Sequence, residues 1–130
     1  MLARPNRLTR GIDYRTVSRR GARCASGLVV THVVLTGEPR PPRFGFIINR
    51  AVGGAVVRNT VRRRLKAVCA EALPGVPQGA DVVIRALPSS AAASFWELRA
   101  EVLRCLERRR ALDPAAILAT SADRETGGSA

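Results

Sequence analysis

Between Gly53-Gly54 and Pro74-Gly75 lies a stretch, residues 55–73, whose apolar positions recur at helical rather than strand spacing. With Arg58 set at zero on a helical wheel, Val57, Val61, Leu65, Val68 and Ala72 fall between roughly 260° and 340°. That narrow stripe obliges the helix to lie against a sheet. On the same wheel Arg58, Asn59, Arg62, Arg63 and Lys66 fall between roughly 0° and 140°, so four cations and an amide share one exposed face. Like charges at i and i+4, Arg58 with Arg62 and Arg62 with Lys66, repel by about 0.2–0.5 kcal/mol each, and no acidic residue in that arc offsets them. A phosphate backbone lying across the face supplies the missing counter-charge, which makes it a candidate phosphate-docking site. The helix start near Gly53 and Gly54 adds unpaired N–H groups that attract anions, and the glycines permit close approach. The competing reading is a solvated basic face with no ligand.

The charge balance favours the docking site. The 130-residue chain carries +12, and residues 1–69 hold 15 Lys and Arg against 2 Asp and Glu, while the remainder holds 7 against 8. The excess is thus confined to one half, as expected for a surface that meets a polyanion. Of the 22 basic residues only Lys66 is a lysine. Arginine's planar fork suits bidentate phosphate contacts and base stacking, which points to nucleic acid rather than lipid. Charge kept merely for solubility would be served equally well by mixed signs.

Length and a hydrophobic share of 46% fit one domain, residues 1–113. From about residue 114 the composition turns to Ala, Ser, Thr and Gly without aromatics, which predicts a disordered tail over 114–130. No apolar run approaches the ~20 residues of a membrane span, and the Arg-studded start lacks the apolar region of a signal peptide, so a cytoplasmic protein with no membrane partner is expected. Cys24, Cys69 and Cys105 are odd in number, widely spaced and without a CxxC pair. That argues against a disulfide framework and against a zinc site, and predicts three reduced, partly buried thiols and no protein-bound metal.

The remaining elements follow from local signals. Asp13 and Gly21 bracket a short helix, with Gly21 expected to stop it in a left-handed conformation. Strands are predicted over residues 28–35 and 44–48, joined across Pro39, Pro41 and Pro42, and over 80–87. Residues 94–110 open with Ser94 and Glu97 in capping-box register and carry Phe95, Leu98, Val102, Cys105 and Leu106 on one face. The order helix, two strands, helix, strand, helix predicts an α/β two-layer sandwich with helices over a small mixed sheet.

Catalysis by the protein itself is not expected. The basic half offers only His32, Asp13 and Glu38 as acid–base groups, and no Cys–His or Ser–His arrangement is readable from spacing.

The run Asn49-Arg50-Ala51-Val52-Gly53-Gly54-Ala55-Val56-Val57-Arg58-Asn59-Thr60-Val61-Arg62-Arg63-Arg64-Leu65-Lys66 resembles the signature of bacterial ribonuclease P proteins, approximately S-K-K-V-G-N-A-V-x-R-N-R-x-K-R-x-x-R. Arg58, Asn59, Arg62, Arg63 and Lys66 stand at its R, N, K, R and final R, and Arg50 at the first of its paired lysines. Gly54, Thr60 and Ala51 depart from its Asn, second Arg and second Lys, while Arg64 occupies a usually apolar slot from which it can snorkel. The resemblance extends weakly over about residues 6–110.

It implies a subunit that contacts a catalytic RNA through Arg50, Gly53, Gly54, Arg58, Asn59, Arg62, Arg63 and Lys66. It also implies a cleft between the first helix and the sheet that holds the 5′ leader of precursor tRNA, with Tyr14 and Val17 at the matching helix positions. Ser18 and His32 stand where relatives often carry aromatics. Tyr14 as plain core packing and His32 as a structural residue are the alternatives. Cleavage would be performed by the RNA with Mg²⁺, and the protein would bind no cofactor. The implied partners are the ribonuclease P RNA and precursor tRNA, with a holoenzyme dimer left open. The implied fold is α+β, with a four-stranded mixed sheet, about three helices and a left-handed βαβ crossover around the basic helix. Its fourth strand, near residues 23–25, carries no signal of its own in this sequence. Two other classes share the charge and size: a ribosomal or RNA-chaperone protein, and a DNA-binding regulator with its helix in a groove.

Overall fold

The computed structural model describes residues 2–113 and Ala115; the tail expected to be disordered otherwise lies outside them. Helix α1 (Gly11–Arg20) leads into strand β1 (Ala22–Ala25), then β2 (Val29–Leu35), β3 (Arg43–Ile47), helix α2 (Ala55–Ala72), β4 (Ala80–Ala86) and helix α3 (Phe95–Arg108). The sheet order is β1-β2-β4-β3. β2 pairs antiparallel with both β1 and β4, whereas β3 and β4, separated by the α2 crossover, pair parallel. The expected mixed four-stranded sheet with three helices is present.

Strand alternation divides the core. Val29, Val33, Val82 and Ile84 face α2 and α3, where they meet Val61, Leu65, Val68, Leu98, Val102 and Leu106. Each such fully buried side chain contributes about 1.5–3 kcal/mol relative to an exposed one. The opposite face carries a smaller cluster, Leu8, Val17 and Val83, flanked by Tyr14, Val34 and Ile47. The main two-layer core therefore has α1 as a third, partial layer on its other side.

Two local expectations are corrected. Gly21 is extended, with φ −70° and ψ 147°, rather than left-handed. Its role is close approach: a Cβ there would lie 2.4 Å from Val17 O and 3.0 Å from Val33 N. Cys24 and Cys105 are not thiols but a disulfide, with Cα atoms 5.5 Å apart across a sequence separation of 81. Cys24 is the one inward position of β1, and Cys105 lies on the buried stripe of α3, so the bond pins the sheet edge to that helix. Cys69 remains free and wholly buried, and burial pushes its thiol pKa far up.

The capping box at α3 forms as its spacing predicts: Ser94 Oγ accepts from Glu97 N–H at 3.1 Å, and Glu97 Oε1 accepts from Ser94 N–H at 3.0 Å. At the start of β4 the carboxylate of Asp81 receives Arg40 and Arg43 in two bidentate contacts of 2.9–3.0 Å, which fastens the Pro-rich connection to the sheet. Burial acts to raise the Asp81 pKa, but the hydrogen bonds from Arg43 and Arg40 outweigh it and hold the pKa below the usual carboxylate value.

Candidate nucleic-acid interface

Helix α2 buries Val61, Leu65, Val68, Cys69 and Ala72, so its stripe is used as the wheel requires. Val57, assigned to the same stripe, is 37% exposed in the first turn of the helix. Its side chain packs against the Gly53 backbone: a Cβ on Gly53 would stand 2.9 Å from Val57 Cγ1, and Gly53 has φ +154°. Only glycine serves there without strain. Gly54 is the N-cap, and the helix begins with no side-chain cap and no acid in its first turn. Its leading N–H groups thus lack a side-chain acceptor, the arrangement that favours an anion. Arg50 is exposed within the preceding turn, where its carbonyl accepts from Gly53 N–H at 3.2 Å.

On the cationic face Asn59 and Arg63 are exposed, while Arg58, Arg62 and Lys66 are half-buried, and Arg58 Nε is buried without a hydrogen-bond partner. Arg62 donates to Asn59 Oδ1 at 3.3 Å. Among the described residues the ion pairs engage Arg40, Arg43 and Arg99, and none engages Arg58, Arg62, Arg63 or Lys66. Four like charges share one surface without an internal counter-charge. Arg64 is occupied elsewhere, since its Nη1 donates to Ala93 O at 2.6 Å and ties α2 to the approach of α3.

The cationic face does not stand alone. Arg62 and Lys66 share a groove with Tyr14, Phe44 and Phe46. Tyr14 also lines the next depression with Ser18, Ile47 and Arg85, and Ser18 and Arg85 border a third with Arg23 and His32. The three run in series from α2, under α1 and across the sheet. Tyr14 is half-buried there, its hydroxyl donating to Leu8 O at 3.2 Å and accepting from Phe46 N–H at 3.3 Å. Val17, expected beside it in the cleft, is only 2% exposed and packs on Leu8 and Val83. It supports the depression from beneath and offers no contact surface.

Sheet register assembles the rest. Arg23 pairs with His32 and His32 with Val83, while Arg85 pairs with both Val30 and Ile47 in the adjoining row. Burial, then Arg23 and Arg85, depress the His32 pKa, so the ring is neutral at neutral pH. Arg23 and Arg85 lie outside both the basic helix and the family signature. Arg85 had a readable signal, a lone cation on the alternate face of an apolar strand; Arg23 sits in the strand that carried none. No group of three His, Cys, Asp or Glu that could hold a metal occurs among the described residues. No described helix is long and apolar enough to cross a membrane.

The family described as Ribonuclease P matches residues 2–110 of the chain. The ribonuclease P protein component of Clavibacter michiganensis subsp. michiganensis is 47% identical over 108 residues, covering 83% of this chain and 96% of that protein. The chain belongs to the ribonuclease P protein family. The corresponding protein of Acidothermus cellulolyticus is also 47% identical, over 109 residues and 91% of its length. Ribonuclease P proteins share the fold: that of Staphylococcus aureus superposes with a TM-score of 0.75 at 16% identity, covering 83% of this chain and 98% of that one. The Thermotoga maritima protein gives 0.70 at 23% identity, covering 78% and 96%. Ribonuclease P is an endoribonuclease, and as a ribonuclease P protein this chain is the partner of a ribonuclease P RNA.

Proposed function

We propose that the cationic face of α2 docks on the ribonuclease P RNA through Arg58, Asn59, Arg62, Arg63 and Lys66, with Arg50, Gly53 and Gly54 at the helix start. The series of depressions under α1 then receives the single-stranded 5′ leader of precursor tRNA. The RNA subunit cuts the phosphodiester bond with Mg²⁺ that it holds itself, and the protein's contribution is positioning and phosphate neutralisation in the cytoplasm. One observation carries this reading: Arg62 and Lys66, unpaired by any carboxylate among the described residues, open onto the same groove as Tyr14. A strand leaving the docked RNA can therefore pass directly beneath α1. Tyr14 offers an aromatic edge, and Arg85 and Arg23 offer guanidinium groups along the path.

The test is reconstitution. Purified chain added to a bacterial ribonuclease P RNA at a Mg²⁺ concentration too low for the RNA alone is expected to restore leader removal from precursor tRNA. A general RNA chaperone would not do so selectively, and failure of the chain to raise cleavage under those conditions would exclude the reading.

A further inference from the structure

Trp96 is the chain's one tryptophan and is 70% exposed. Helix α3 sets it between two links to α2. Before it, Arg64 Nη1 reaches Ala93 O at 2.6 Å; after it, Arg99 grips the Glu71 carboxylate through contacts of 2.7–3.1 Å. The ring also has two side-chain neighbours. It meets the Phe95 ring edge-to-face, with centroids 5.2 Å apart and planes at 77°, and Arg99 Cζ lies 5.8 Å from its centroid. So much exposed indole contributes little to the core, and its ring contacts are to Phe95 and Arg99.

The surroundings discriminate among occupants. The two nearby carboxylates are already used, Glu71 by Arg99 and Glu97 in the capping box with Ser94. Arg64, directly after Arg63 in α2, spends one guanidinium nitrogen on Ala93 and has others to offer. A second copy of a chain carrying +12 would be repelled by this one. A flat base with its phosphate beside Arg64 matches both the ring and the charge. We infer that Trp96 is a stacking platform for an unpaired base of the RNA that lies along α2, a contact on the flank of the helix opposite the α1 groove. The inference rests on the RNA-binding reading above and extends it to α3.

Because the chain has a single tryptophan, its emission reports this site alone. Titrating the full chain with ribonuclease P RNA is expected to quench that emission and to shield the ring from acrylamide. Trp96→Ala should weaken RNA binding about five- to a hundredfold, Trp96→Phe should stay within about threefold of the parent, and neither should alter the salt slope, since stacking releases no counterions. Circular dichroism and melting establish that both variants fold. A gel shift that forms normally while emission and acrylamide access stay unchanged overturns the inference and leaves the docking of α2 intact. Trp96→Ala binding with parental affinity also overturns it, as does a Trp96-dependent dimer in sedimentation without RNA. Absence of any gel shift with the parent chain would sink the RNA-binding reading itself, and this inference with it.

Discussion

The ring of Tyr14 fills the space that a side chain at position 45 would need: a Cβ on Gly45 would lie 2.5 Å from Tyr14 Cζ and 2.7 Å from its hydroxyl oxygen. The glycine is there for the ring, since its backbone is ordinary strand in the middle of β3. Gly45→Ala should therefore expel Tyr14 from its seat. We expect a loss of about 1–3 kcal/mol in denaturant unfolding, as for other overpacked sites. Affinity for precursor tRNA should fall while affinity for tRNA lacking the leader holds. Tyr14→Ala should reproduce that loss of discrimination, and identical leader discrimination in parent and both variants would separate Tyr14 from the substrate path.

The α2 face makes a different kind of prediction, because its arginines act through charge. Replacing Arg62 or Arg63 by Ala removes one neutralised phosphate each, so the plot of log affinity against log salt should become shallower by about 0.7–0.9 per substitution. Binding to unrelated RNA should weaken in parallel. Filter binding between low and moderate salt measures the slope, and unchanged slopes in both variants would take α2 out of the interface.

Why the α2 face could be read from the residues themselves and the α1 depression only through the family resemblance is a matter of range. The cationic face is set by a repeat within one helix, and the buried positions Val61, Leu65, Val68 and Ala72 fall where the wheel puts them. The cap at Ser94 is equally local. Arg23, His32 and Arg85 meet only through pairing of β1 with β2 and β2 with β4, which no window of sequence contains. Strand β1, Ala-Arg-Cys-Ala, has no β-branched or aromatic residue, and its conformation is imposed by β2 and by the bond to α3. The disulfide was illegible for the same reason: its geometry depends on a strand that the sequence does not announce.

Asp81 sets the response to acid. The hydrogen bonds from Arg43 and Arg40 prevail over burial and keep its pKa below that of the unfolded chain. The unfolded state therefore takes up a proton first as pH falls. The stabilisation is complete above the unfolded value of about 3.9 and disappears as pH drops through the lower folded value. Asp81→Asn should lower stability at neutral pH by about 2–3 kcal/mol, less than for a fully buried pair because both arginines are partly solvated. The variant should also lose part of the parent's acid sensitivity below about pH 4. Equal acid dependence of the two melting curves would refute that role.

The bond between Cys24 and Cys105 closes a loop with a sequence separation of 81, and such a loop restricts the unfolded chain by on the order of 4 kcal/mol in the chain-entropy account. The oxidised chain should expose one reactive thiol in denaturant, that of Cys69, and three after reduction. Reduction should lower the melting temperature, while the double variant Cys24→Ser, Cys105→Ser should melt low with or without reductant. The local consequence is sharper than the global one. β1 is an edge strand paired with β2 alone, and besides the disulfide the Arg109 guanidinium donates to Arg23 O, so its amides should exchange faster once the disulfide is cut, and the place of Arg23 beside His32 should loosen. In reducing surroundings the fold must stand on its core alone, with the Arg23 end of the depression loosened and the cationic face of α2 unchanged. Leader affinity that drops on reduction while the affinity for ribonuclease P RNA stays constant is the expected result, and a parallel fall in both would show that the bond supports the whole domain instead.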